Sequence, residues 1–131
     1  MTIDDHANAA TQVLGQAYFL DLLGDAYNGL GHHDEAIGVL SEAAEAFRRH
    51  DARGEHAVCL FKIAQSHLAL GRGELAIGYL EECLPIFREL HLPDHERQAI
   101  GILNDCRAAA GRRTVTPSFP DGPGPVRTAR T

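Results

Sequence analysis

The sequence predicts an all-α fold in which helical hairpins stack one after another. First, the segment 31–50 is repeated at 71–90, with eight of the twenty positions identical. Second, apolar residues in both copies recur at every third or fourth position, which is the spacing of one face of an α-helix. Third, glycines stand just past the apolar runs at positions 31, 71 and 111, where a helix commonly ends in a left-handed residue. No stretch alternates as a β-strand would.

The first hairpin is expected from two helices at about 8–30 and 34–50. Their apolar stripes are Leu20, Leu23, Tyr27 and Leu30 in the first helix and Ile37, Leu40, Ala44 and Phe47 in the second. Gly31 ends the first helix, and Asp34 places a negative charge at the positive end of the second. The small residue Gly24 lies inside the first stripe, so we expect the two helices to approach closely there.

The second hairpin and a final single helix are expected at about 54–70, 74–91 and 94–110. The stripes are Leu60, Ile63, His67 and Leu70, then Ile77, Leu80, Leu84 and Phe87, and finally Ile100 and Leu103. Pro85 falls inside the fourth helix, where it removes one hydrogen bond and is expected to kink the chain before the helix resumes. A single hairpin cannot bury its own apolar face, so neighbouring hairpins must stack.

The chain divides into a helical repeat domain, 1–111, and a tail, 112–131. Within the domain, the repeats are expected at about 15–53 and 54–93, followed by a half repeat at 94–111. The tail has no helical period and is rich in proline and glycine, so a flexible or polyproline-like segment is expected.

Charge is divided unequally between these two parts. Residues 1–111 hold 17 acidic and 8 basic side chains, a net charge of −9, whereas residues 112–131 hold four Arg and one Asp, a net charge of +3. An acidic body repels phosphates, so nucleic acid is excluded as a partner and a basic protein segment is favoured. The same contrast supports a second hypothesis, in which the tail lies along the body, in its own groove or in that of a neighbour, instead of being disordered.

The sequence carries no signal for a membrane or for export. No apolar run approaches the roughly 20 residues that span a bilayer, and the first ten residues, MTIDDHANAA, lack the apolar core of a signal peptide. Cys59, Cys83 and Cys106 form neither a disulfide framework nor a metal motif. A cytoplasmic protein with reduced thiols is therefore expected.

The repeated residues resemble the tetratricopeptide repeat, whose first helix carries W-x-x-L-G-x-x-Y and whose second carries A-x-x-x-F. The matching residues are Leu20, Leu23, Gly24, Tyr27, Ala36 and Leu40 in the first copy, Leu60, Ile63, Ala64, His67, Ala76 and Leu80 in the second, and Ile100, Leu103, Asn104 and Arg107 in the half copy. The repeat here is longer than the common tetratricopeptide period of about 34 residues, and the proline that ends the second helix is absent. Repeats of this longer type are similar to those of actinobacterial transcriptional and signalling regulators.

The resemblance implies a right-handed superhelical stack of about five helices, with a partner segment bound in a concave groove lined by the first helix of each hairpin. The groove positions carried over are Tyr18, Asp21, Leu22, Asp25 and Asn28, then Val58, Phe61, Lys62 and Gln65, then Gln98, Gly101, Ile102 and Asp105. These positions lie off the packing stripe, so we expect them to be exposed. Asp21, Asp25 and Asp105 favour a basic residue in the partner, and Phe61 favours an apolar one. The alternative, in which the first two aspartates only form a solvated helix face, stays open.

The function expected from the resemblance is a regulatory module that binds a protein or peptide. One alternative is a sensor of a small ligand or peptide pheromone, which would need a closed apolar pocket lined by Phe61 and Ile102. Another is a self-associating scaffold, because Ala99, Ile102 and Cys106 leave the C-terminal helix only half polar and favour a homodimer through it.

Catalytic, cofactor and metal sites are not expected. Eight histidines are present, but none forms an H-E-x-x-H motif or a Cys/His pairing with metal-ligand spacing. Glu81 and Glu82 are adjacent and diverge around a helix, and the cysteines at packing positions indicate structural thiols rather than nucleophiles. His67 takes the place of the consensus aromatic residue, so it is expected in the core, where its protonation at low pH would loosen the stack.

Overall fold

The computed structural model describes residues 3–111 and Val115, with side chains described from Asn8 onward. Its five α-helices are α1 (Ile3–Gly29), α2 (His33–Arg49), α3 (Arg53–Ala69), α4 (Gly73–Glu89) and α5 (Pro93–Ala109). Each helix packs against the next one along the chain. For the described residues, the predicted all-α class and helix order are confirmed, although α1 begins earlier than expected. The expectations for the tail lie outside the described residues, apart from Val115.

The helices after α1 begin at evenly spaced positions, 33, 53, 73 and 93. Each of the five helices is followed by a residue with a positive φ, at positions 31, 51, 71, 91 and 111. The three glycines among them were expected, but Asp51 (φ 59°) and His91 (φ 55°) adopt the same conformation. The structural period is therefore half the period of the sequence, with glycine at alternate turns only.

The turns between successive helices share one backbone hydrogen bond. The residue after the left-handed one donates its N–H to a carbonyl five residues earlier, and the pairs are His32–Tyr27, Ala52–Phe47, Arg72–His67 and Leu92–Phe87, at 2.8 to 3.0 Å. This bond is the signature of a Schellman motif. The carbonyl of the donating residue then accepts the first hydrogen bond of the next helix, as His32 does from Ala36 at 3.0 Å. One residue thus closes one helix and opens the next.

The core repeats with the sequence. Corresponding residues of α2 and α4 are all buried, namely Ala36 with Ala76, Leu40 with Leu80, Ala43 with Cys83, and Phe47 with Phe87. The expected close approach at Gly24 is confirmed, because a Cβ added there would lie 2.5 Å from Cγ of Leu40 on α2. Position 24 therefore faces the second helix of its own hairpin.

Pro85 does not end α4, which runs without interruption from Gly73 to Glu89. Phe87 lies beyond the proline and is buried like Phe47, so the expectation that the helix resumes is confirmed. The proline ring is exposed. It leaves the carbonyl of Glu81 without its helical donor on the outside of the molecule, where water can hydrate it.

At the other end of the stack, α5 contacts a residue from beyond the last turn. Asn104 occupies in α5 the repeat position that Gly24 occupies in α1. In α1 this position faces the second helix of the hairpin. In α5 the side-chain amide of Asn104 meets the backbone of Val115, donating to its carbonyl at 2.8 Å and accepting from its N–H. The Val115 side chain packs against the core. A single residue thus covers part of the face that a second helix would cover.

The left-handed turns predict opposite effects for one substitution at two glycines. Gly71→Ala should lower the free energy of unfolding by about 1 kcal/mol, because an alanine at φ 76° carries the left-handed penalty. Gly78→Ala, inside α4 and with open space around an added Cβ, should raise it by roughly 0.5–1 kcal/mol. Denaturant unfolding measures both, and shifts of the same sign would contradict the turn geometry.

The contact at Gly24 predicts a larger loss. Gly24→Ala should lower the free energy of unfolding by roughly 1–3 kcal/mol, because Leu40 has to move to admit the methyl group. Gly38→Ala on α2 is the matched control, since an added Cβ there meets nothing within 4 Å. A Gly24→Ala variant as stable as the parent would mean that α1 and α2 do not touch at this point.

Candidate functional site

Polar contacts join α1 to α3 along one side of the molecule. Nζ of Lys62 lies 2.7 Å from the Asp21 carboxylate and 3.1 Å from that of Asp25. The Tyr18 hydroxyl donates to Glu55 at 2.6 Å. Near the other end of the same helices, the Ser66 hydroxyl donates to Oδ1 of Asn28 at 2.8 Å. These contacts bring together several of the predicted groove residues, and we call this surface, continued by α5, the α1–α3–α5 face.

Lys62 stays charged between its two aspartates. Burial alone would lower the pKa of Lys62, but the hydrogen bonds to Asp21 and Asp25 outweigh it and leave the pKa raised. Asp21 is largely covered by this pair, whereas Asp25 remains half exposed. Together with Glu55 the group carries two net negative charges. The aspartates are therefore neither wholly free for a partner nor simply a solvated helix face.

Tyr18 is held at both ends of its side chain. Its ring makes an edge contact with Phe47, with 4.9 Å between the ring centres. The hydrogen bond to Glu55 is the main reason that the pKa of Tyr18 is raised. Tyr18 therefore remains a neutral donor at physiological pH and fixes the position of the Glu55 carboxylate.

Two pockets lie on the α1–α3–α5 face. The first has a volume of about 310 Å³ and combines two carboxylates with apolar walls, its lining residues being Asp21, Gly54, Glu55, Val58 and Leu92. The second has a volume of about 360 Å³ and is apolar except for one carboxylate, its lining residues being Leu68, Gly73, Ile102, Asp105, Cys106 and Ala109. One face thus offers an acidic pocket and an apolar pocket.

The expectation that every groove position is exposed is wrong for Phe61. Its side chain is only 6% exposed and makes an edge contact with Phe87 of α4, with 6.3 Å between the ring centres. The physical reason is that α3 packs against both α2 and α4, so its buried arc is wider than the single stripe assumed from the sequence. Phe61 belongs to the core and is not available to a partner.

The other predicted positions lie at the surface or partly so. Leu22, Gln65, Gln98, Gly101 and Asp105 are exposed, and Val58 and Ile102 are half-buried. Asn28 is half-buried and is also bonded to Nδ1 of His33 at 2.7 Å. Val58, Ile102 and Asp105 line the two pockets, whereas the two glutamines line neither.

Sequence reasoning missed seven of the eleven residues that line these pockets, among them Glu55, Leu68 and Leu92. Leu68 stands one full repeat after Asn28, so the repeat itself carried the signal needed to find it. Glu55 and Leu92 lie at the start of α3 and just before α5. Their positions follow from the even spacing of successive helices. The sequence repeat is twice as long as this spacing and therefore does not reveal it.

His67 lies in the core as predicted. It is 6% exposed and its ring stacks on Tyr79 of α4, with 5.4 Å between the ring centres. Within the part of the chain that the structure describes, Nδ1 of His67 is buried with no hydrogen-bond partner. Burial, and secondly Arg72, lower the pKa of His67, while Asp34 acts weakly in the opposite direction.

Burial disfavours the thiolate form of the three cysteines, all of which lie among the described residues. Burial raises the pKa of both Cys59 and Cys83 to about 12, so their thiols stay protonated at neutral pH. Among the described residues, no three His, Cys, Asp or Glu side chains come close enough to hold a metal ion. The described helices also include none that is long and apolar enough to cross a membrane.

The environment of His67 predicts a pH-dependent stability. Because its pKa is lower in the folded than in the unfolded chain, protons bind preferentially to the unfolded chain at acidic pH. The contribution of the neutral ring is complete above the ordinary histidine pKa of about 6.5 and is lost as the pH falls below it. His67→Phe, which keeps a ring against Tyr79, should show a smaller loss of unfolding free energy between pH 7 and pH 5. Parallel pH profiles for the parent and His67→Phe would rule out this assignment.

Comparison with known proteins identifies no family for this chain. No protein-family model matches the chain, and no curated protein matches it.

Proposed function

We propose that the chain is a peptide-binding module built as a right-handed stack of tetratricopeptide-like hairpins. The sequence repeat at 31–50 and 71–90, the evenly spaced turns and the repeated core of α2 and α4 support this arrangement. In such a stack the first helices of the hairpins line a common groove, and α1, α3 and α5 are the helices that carry the two pockets. The proposed role is regulatory: a partner segment binds at equilibrium and no bond is made or broken.

The observation that carries the proposal is the pairing of an acidic and an apolar pocket on one face. A lysine or arginine side chain suits the pocket of Asp21 and Glu55, because its stem would contact Val58 and Leu92 while its charge meets two carboxylates. A leucine, isoleucine or valine suits the pocket of Ile102. The partner is therefore an extended segment that carries one basic and one apolar side chain.

Lys62 would orient the backbone of that segment. Its ammonium group has three N–H donors, and two of them are directed at Asp21 and Asp25. The third suits a main-chain carbonyl of a bound peptide. Because the two aspartates already hold Lys62, binding requires little reordering of this side chain, which favours affinity.

The geometry favours this function over a sensor with a closed apolar pocket. Such a sensor was expected to use Phe61 and Ile102 together. Phe61 instead packs on Phe87 inside the core, and the pocket that Ile102 lines does not include it.

A panel of synthetic peptides tests the proposal. The probes are peptides of about six residues, each with one Arg and one Leu at a different separation in a Gly-Ser background, so that an extended chain samples the spacing of the pockets. Fluorescence anisotropy should identify a preferred spacing. Asp21→Asn with Glu55→Gln should then weaken binding by about tenfold, a loss of about 1.4 kcal/mol, and Ile102→Asp should weaken it at least as much.

The control for this test is Glu42→Gln, which removes an exposed carboxylate from α2, away from the face. It should leave affinity unchanged, apart from a small general effect of net charge at low salt. Equal losses in Glu42→Gln and in the pocket variants, or no binding by any peptide of the panel, would contradict the proposal.

A further inference from the structure

One side of α1 lacks the cover that the equivalent side of the other first helices receives. Cys59 on α3 and Ala99 on α5 occupy the same repeat position and are fully buried. The equivalent residue of α1 is Phe19, whose side chain is 62% exposed. In α3 this side also carries Lys62, which stands one repeat after Leu22 and contacts Asp21 and Asp25 of α1, so an earlier helix of the chain covers it. The uncovered side of α1 is therefore a surface shaped to receive a helix.

The sequence of α1 is that of a helix buried on two sides. On a helical wheel its outer strip consists of Gly15, Phe19, Leu22, Leu23, Ala26 and Leu30, the last being the residue just after the helix. None of these residues is charged, and Leu22 and Leu30 are 67% and 72% exposed. The acidic residues Asp21 and Asp25 point away from the strip, towards Lys62. Apart from the half-buried Leu23, the strip is thus an exposed, uncharged, apolar surface.

The strip is complementary to itself when two copies run antiparallel. With a two-fold axis between Leu22 and Leu23, Leu22 of one copy lies opposite Leu23 of the other. The bulky Phe19 then lies opposite the small Ala26 of the other copy, and Leu30 lies opposite Gly15. An added Cβ at Gly15 meets nothing within 4 Å in the single chain, so this position is open to a large side chain from outside. Pairing of large with small residues is what close helix packing requires.

The two ends of the stack differ, which decides how copies associate. The outer side of α5 is partly covered by Val115, whose backbone is held by Asn104. An end-to-end contact between α1 of one copy and α5 of the next would have to displace Val115, and such head-to-tail contacts build rings or open filaments rather than dimers. Pairing α1 with α1 uses only the open surface and closes after two copies.

We infer that the chain forms a symmetric homodimer through the antiparallel pairing of α1 with α1 of a second copy. The strip centres on Phe19, on the opposite side of α1 from Asp21, and it shares only Leu22 with the predicted groove positions. The inference does not rest on the proposed peptide binding. It replaces the C-terminal helix, favoured by the sequence alone, as the dimer surface.

Sedimentation equilibrium tests the dimer directly. The full chain should sediment at twice its mass of 14.2 kDa at micromolar concentration. Phe19→Glu should weaken dimerisation at least about a hundredfold, because two charges per dimer would be buried, while circular dichroism shows an unchanged helix content. Leu75→Glu is the matched control, since Leu75 on α4 is also exposed, and it should leave the dimer intact. A parent chain that is monomeric up to millimolar concentration, or a Phe19→Glu variant that still dimerises, would overturn the inference.

Cysteine cross-linking tests the antiparallel register in a Cys106→Ser background, where the remaining thiols, Cys59 and Cys83, are buried. Under a mild oxidant, Leu22→Cys lies beside the axis and should yield a covalent dimer. Leu30→Cys should not, because an antiparallel pair separates the two cysteines by about 22 Å along the helix. Cross-linking at both positions would indicate a parallel pair, and cross-linking at neither would indicate a different surface. Either result would overturn the inference.

Discussion

The left-handed residue at the end of each helix is the constraint on which the rest of this structure depends. It reverses the chain within a short turn, and the residue that follows closes one helix and opens the next. Since the turns recur at even intervals, α2 to α5 have equal lengths of 17 residues. Helices of equal length joined by equal turns bury corresponding side chains of α2 and α4, such as Phe47 and Phe87.

This regularity is what brings residues of the proposed site together. Asp21 and Lys62 are 41 residues apart in the chain, which is one repeat plus one residue, and they meet because α1 and α3 lie side by side. A similar offset explains how Glu55 reaches Tyr18 and how Ser66 reaches Asn28. The polar contacts of the α1–α3–α5 face follow from the even spacing of the helices. They also connect α1 with α3, which are not consecutive in the chain.

Much of the fold could be predicted because the sequence repeats visibly. Gly31, Gly71 and the buried Phe47 and Phe87 stand at corresponding positions, and the structure uses each pair identically. The turns at Asp51 and His91 were not foreseen, because neither residue type signals a left-handed conformation as strongly as glycine does. At the site, the acidic character was predictable, but the burial of Phe61 was not. The burial of Phe61 depends on its contact with Phe87 of α4. The apolar pattern of a single helix gives no information about which residues of another helix it contacts.

Side chains of α1 and α3 meet at Asp21 and Lys62, and a double-mutant cycle on these two residues tests this contact most directly. Unfolding free energies would be measured for the parent, Asp21→Asn, Lys62→Met and the double variant. A coupling energy of about 1 kcal/mol is expected for this partly buried ion pair. A coupling energy indistinguishable from zero would show that the two side chains do not meet and would contradict the arrangement of the helices.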